Sequence, residues 1–248
     1  MLLLNLDRPD EWPDPLKVVL DEIRPIMRAW ELDLPAKKAT AFDPTITALG
    51  HALQPYCVRG WHCTRLTEDE ATCVEAHGLE PLSAALIERR ITVQEQRGAL
   101  PAIVADALRA GHQGHAPNRA SMIWFCFFPP REAGEGGLYR LFNYWGGEAI
   151  YGPHDPDGQA ASLLRRLGVP CIVEADVPLA WLPNTFRVAT SVARRDLIHH
   201  GEPVTEPVEV EHYSVRAIPG DLIRAVHRFP GPQFIALSGC DKWRASLS

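Results

Sequence analysis

The 248-residue sequence predicts an α+β fold rather than a doubly wound sheet. Segments of helical spacing gather early in the chain, strand-like runs concentrate in its centre and C-terminal half, and no internal repeat is present. Hydrophobic residues make up 46% of the chain, enough for one large core or for a core with a small appendage. The expected division is an N-terminal helical segment over 1–54 and a single unit over 55–248.

The first helix is predicted in DPLKVVLDEIRPIMRAWEL, where Leu16, Val19, Leu20, Ile23, Ile26 and Met27 recur at helical spacing behind Pro15. Pro25 is expected to bend or split it. A second helix is predicted over 42–53, starting at Asp43-Pro44. YCVRGWHCTRL then reads as a β-prone strand. Thr67 with Glu70 forms a capping-box signature for a helix over 68–77, and Gly78 stands at its C-terminal cap. LSAALIERRI and VQEQRGALPAIVADALRAG are helical in period.

Downstream, SMIWFCFF (121–128) is apolar throughout, as a strand buried on both faces would be. GLYRLFNYW (137–145), aromatic and flanked by glycine pairs, predicts another strand, with PPREAGEGG as the loop between them. GGEAIYG opens a turn or helix, and QAASLLRRLG (159–168) is a helix ending in glycine. PCIVEADVPLAWL and VEVEHYSVRAI (208–218) are strand-like, and PGDLIRAVHRF reads as a short helix begun by Pro219.

Composition excludes several functions. The formal net charge of −6 disfavours broad contact with a nucleic-acid backbone. No apolar run reaches the roughly 18 residues needed to cross a bilayer, and MLLLNLDRPDEW lacks the features of a secretory signal, so the expected location is the cytoplasm, without a membrane partner. The six cysteines form no CxxC pair and read as reduced thiols. Cys57, His62, Cys63, Cys73 and His77 cluster in sequence, but only Cys73 and His77 have helix-face spacing, so no metal site is expected. The glycine patterns of dinucleotide and triphosphate loops are absent, as is GxSxG.

What remains is an ordered constellation. A strand carries His62 with Thr64 on the same face, and a helix follows that ends at Gly78-Leu79. Tyr139, Tyr144 and Tyr151 lie around YRLFNYWGGEAIY, and a late strand carries Glu209 and Glu211. Over roughly 55–230 this order resembles the ADP-ribosyltransferase superfamily, in its His-Tyr-Glu branch shared by diphtheria-like toxins and poly-ADP-ribose polymerases. The resemblance implies a split, mixed β-sheet core with added N-terminal helices. It implies NAD as substrate, with no metal, and transfer of ADP-ribose to an acceptor. The spacing departs from the family in one respect, since eleven residues separate Tyr139 from Tyr151 where the family's paired tyrosines lie ten apart.

Under that resemblance the expected catalytic residues are His62, Tyr144, Tyr151 and one of Glu209 or Glu211. Cleavage of the nicotinamide glycosidic bond passes through an oxocarbenium-like state, which a fixed glutamate would stabilise. His62 would donate to a ribose hydroxyl, and Thr64 shares its strand face. Tyr144 and Tyr151 would clamp nicotinamide, with Trp145 behind them, and Arg65 would meet a phosphate. The same residues also fit plain structural roles: a satisfied strand histidine, packed tyrosines, and glutamates alternating with Val208 and Val210 on a solvent face.

Two other classes stand beside this one. The first is a non-catalytic interaction protein using its N-terminal helices and aromatic segment. The second is a cysteine or metal-dependent hydrolase built on Cys63 or Cys73 with His77. The acceptor is not legible: protein, nucleic acid and small molecule all suit one NAD site, with contacts expected from PPREAGEGG and RRDLIHHGEPVTEP (194–207).

Overall fold

The computed structural model describes residues 1–32, 39–152 and 158–247, and shows a mixed α and β protein. In chain order its elements are β1 (Leu2–Leu4), α1 (Asp14–Glu31), α2 (Ala39–Ala52), β2 (Tyr56–Leu66), α3 (Glu68–His77), α4 (Ala84–Gln96), α5 (Ala102–Gly111) and β3 (Ile123–Cys126). They continue with α6 (Gly134–Asn143), α7 (Glu148–Tyr151), α8 (Gln159–Arg166), β4 (Val169–Pro178), α9 (Phe186–His199), β5 (Glu211–Ser214), β6 (Ile223–Arg228) and α10 (Pro232–Ser238). The strands run in the order β5-β3-β2-β4-β6, with β1 beside β2. β1 is parallel to β2, pairing Leu2 with Tyr56, whereas β6 is antiparallel to β4, pairing His227 with Ile172.

The chain divides into two units. The first comprises Met1–Gly60, Cys126–Phe128 and Asp176–Tyr213. In it α1, α2 and α9 pack on one another, and Leu16, Leu20, Met27, Ile46, Leu49, Val188 and Val192 on these helices are buried. Trp30 stacks on Phe42 at 4.0 Å between ring centroids. Between α9 and the end of α1, Arg194 Nε donates to Glu31 Oε1 at 2.7 Å, and the backbone N–H of Thr205 donates to Glu31 Oε2 at 3.0 Å. Burial pushes the Glu31 carboxyl up, but these donors outweigh it and hold the group below its usual value.

The second unit comprises Trp61–Phe125, Pro129–Ala175 and Ser214–Ser248. One core in it gathers α4, α5, α7 and α8 around Ile87, Ile91, Leu108, Trp145, Ile150 and Leu164. Another joins Cys63, Leu138, Phe142, Ile172, Phe234 and Leu237.

Several predicted elements are confirmed. α3 has its capping box, with Thr67 N–H donating to Glu70 Oε2 at 2.8 Å and Glu70 N–H donating to Thr67 Oγ1 at 3.4 Å. α7, α8 and β4 lie where their patterns put them.

Others are corrected. α1 is not split at Pro25, and α2 starts at Ala39, ahead of Asp43, with Pro44 inside it. The segment 137–145 is not a strand: α6 covers most of it, because Leu138 and Phe142 fall one turn apart and both enter the core. PPREAGEGG is not an open loop, since a 3-10 turn over Pro130–Ala133 leads directly into α6. β3 is shorter than 121–128 and is not buried on both faces, because Trp124 is 43% exposed. The strand expected over 208–218 is confined to β5, which leaves Glu209 outside it. After Pro219 a 3-10 turn leads into strand β6, not a helix. Within the acceptor segment 194–207, the first six residues belong to α9 and Arg194 is buried.

Among the described residues no helix is long and apolar enough to cross a membrane.

Candidate functional site

His62 stands near the middle of the eleven-residue strand β2, in the part of it that belongs to the second unit. Its Nδ1 lies 2.9 Å from the carbonyl oxygen of Trp124, and its ring meets Phe125 edge-on at 6.0 Å. A carbonyl only accepts, so Nδ1 carries the ring proton. Desolvation holds the imidazole below the usual histidine value; the bond to the Trp124 carbonyl works against this, and the nearby Arg90 charge adds to it. The ring is therefore neutral near pH 7, and Nε2 is an acceptor. That reverses the donor role expected of His62: a ribose hydroxyl would donate to it. Thr64, two residues on, is buried at 7%.

The helix after His62 is fastened at its far end. Gly78 adopts φ of +91°, and a side-chain Cβ there would sit 1.8 Å from the Ile218 carbonyl oxygen. Leu79 and Ile218 exchange backbone hydrogen bonds at 2.8 and 2.9 Å. Gly220 approaches the same helix end, where an added Cβ would lie 2.5 Å from the Ala76 carbonyl oxygen. Only glycine permits backbone contact this close. The sequence shows Gly78 as a cap, but its close approach to Ile218, 140 positions away, has no local signal.

Glu70, on α3, ties that helix to α4 and to the turn between α6 and α7. Its Oε1 accepts from Arg90 Nε at 2.7 Å, and its Oε2 accepts from Trp145 Nε1 at 2.8 Å as well as from the Thr67 backbone. The Arg90 guanidinium stacks 4.7 Å from the Trp145 ring centroid. Burial pushes the Glu70 carboxyl up, but the Arg90 charge and these donors outweigh it and hold the group below its usual value. The sequence carries no chemical signal for Arg90, and the capping box is its one signal for Glu70.

Three expected contacts are corrected. Arg65 is 2% exposed and donates to the Leu167 and Phe142 carbonyls at 2.9 and 3.0 Å, so it braces the fold instead of facing a phosphate. Tyr144 and Tyr151 are each 5% exposed, 5.2 Å apart between ring centroids, and covered by Arg165 and Arg140 at 5.0 Å. They serve the helical core and present no open face to a planar ring. Burial, with Glu148 nearby, pushes the Tyr151 hydroxyl up to about 12. Trp145 is fully buried. The sequence signal for a clamp, aromatic residues in a glycine-bounded run, is equally the signal for a packed helix end.

The glutamates belong to the first unit. Glu211 opens β5 and is exposed, as is Glu209, while Val210 and His212 between and after them are buried. The Phe127 N–H donates to the Val210 carbonyl at 3.0 Å, and the Cys126 thiol lies 3.9 Å from Glu211 Oε1.

Of the hydrolase candidates, Cys63 is buried in the core with Phe142, whereas Cys73 and His77 are exposed one turn apart on α3. Among the described residues no three His, Cys, Asp or Glu side chains gather as metal ligands. No protein-family model, curated protein or solved structure matches this chain.

Proposed function

We propose that this chain is a NAD-dependent mono-ADP-ribosyltransferase with the split sheet of that superfamily. His62 carries the reading: it stands in mid-strand, held through Nδ1 by a backbone carbonyl, with Nε2 oriented by that bond as an acceptor. A neutral, preset acceptor suits the hydroxyl-rich ribose of NAD. The strand, capped helix and glycine turn that follow it, clasped to the segment before β6, support the same order of elements.

In the proposed step the bond between nicotinamide nitrogen and ribose C1′ breaks, and nicotinamide leaves with the electron pair. The developing positive charge at C1′ needs a carboxylate to meet it, the role that the resemblance gives to Glu209 or Glu211. A nucleophilic atom of the acceptor then bonds to C1′ and gives up its proton to solvent. Charge balance favours a protein or small-molecule acceptor over nucleic acid.

The test is incubation of the purified chain with NAD labelled in the adenylate half, together with a cell lysate, following nicotinamide release and the destination of the label. Release is expected from the wild type, lowered by about 10²-fold when the working glutamate is changed to glutamine and lowered by His62→Ala. An intact, folded wild type that neither binds NAD nor releases nicotinamide overturns the proposal.

A further inference from the structure

The sequence leaves two glutamates for one role, and the first unit distinguishes them. The Phe127 N–H bonds the Val210 carbonyl at 3.0 Å. Stepping back one residue on the first strand and forward one on the second, as an antiparallel pair does, brings Cys126 opposite Glu211. The side chains meet there: the Cys126 Sγ is 3.9 Å from Glu211 Oε1, with the thiol as donor. Cys126 is 9% exposed, a short side chain held by packing, whereas Glu211 is exposed. A packed donor in contact with an exposed carboxylate restricts the rotamers of that carboxylate. Glu209 lies ahead of the strand, outside its ladder.

We propose that Cys126 is a positioning residue that holds the Glu211 carboxylate in place, making Glu211 rather than Glu209 the group that meets charge at ribose C1′. This rests on the NAD-cleaving reading above. A thiol is a weak donor, and its contribution is orientation.

The experiment compares nicotinamide release from NAD by wild type, Cys126→Ala, Cys126→Ser and Glu211→Gln, each checked for folding by thermal melting. Cys126→Ala is expected to lower kcat about tenfold with KM unchanged, and Cys126→Ser, which keeps a donor, to stay within about threefold of wild type. Glu211→Gln should abolish release. Without reference to turnover, Glu211→Ala is expected to raise the rate of Cys126 modification by iodoacetamide about threefold, read by peptide mass spectrometry, while Glu209→Ala leaves that rate unchanged. Wild-type kcat in Cys126→Ala, or equal modification rates in the two alanine variants, overturns the positioning role while the NAD-cleaving reading stands. An inactive, folded wild type overturns both.

Discussion

Glu70 shows how much one side chain can hold. Its carboxylate receives Arg90 of α4, Trp145 from the turn between α6 and α7, and the backbone of its own cap residue Thr67. Removing it leaves a partly buried guanidinium and an indole N–H without their acceptor. Glu70→Ala is therefore expected to destabilise the chain by about 3 kcal/mol in urea unfolding, against less than about 0.5 kcal/mol for the exposed Glu209→Ala. Only the cap was legible beforehand, since Thr67 lies three residues away while Trp145 lies 75 away. Arg65 misled for a related reason. An arginine three residues past a strand histidine suggests a phosphate contact, and only the fold shows that Arg65 is buried with two of its N–H groups given to carbonyls.

Among the elements, α3 was legible almost to the residue because its start and stop are local chemistry: a capping box and a glycine. What fastens it is not local. Gly78→Ala would put a methyl group 1.8 Å from the Ile218 carbonyl oxygen and strain a φ of +91°. The expected loss is more than about 3 kcal/mol, beyond the 1–2 kcal/mol of a left-handed alanine alone. Gly98→Ala is the control, with φ of +71° and no atom within 4 Å, and should cost only that smaller amount in parallel thermal melts. α6 and β6 were misassigned for one physical reason. Short segments carry both periodicities, and the partner decides between them: Phe142 packs against Phe234 at 4.9 Å in the helical case, and β4 supplies a ladder in the other.

At the scale of the whole molecule, acid should unfold the protein in two stages. Desolvation holds His62 and His212 below the usual histidine value of 6.5. The unfolded chain takes up those protons first as pH falls, so stability is complete above about 6.5 and declines below it, until the folded histidines also titrate. Each proton contributes a slope of up to about 1.4 kcal/mol per pH unit. The Glu31 and Glu70 carboxyls lie below their usual 4.5 in the folded chain, so a second loss follows as pH drops beneath that value. Urea midpoints measured from pH 8 to pH 3 check both stages, and a flat profile between pH 6.5 and 5 would remove the histidine contribution. The mixed α and β class, the capped helix after His62 and the alternation around Glu211 were determined by the sequence alone, because composition, capping and period-two burial act over a few residues. Which tyrosines are core, which arginine is a brace and which glutamate meets a cysteine were decided by tertiary structure, because those pairings join residues up to about 100 positions apart, where packing of the whole fold must outweigh the cost of loop closure and local preference carries no information.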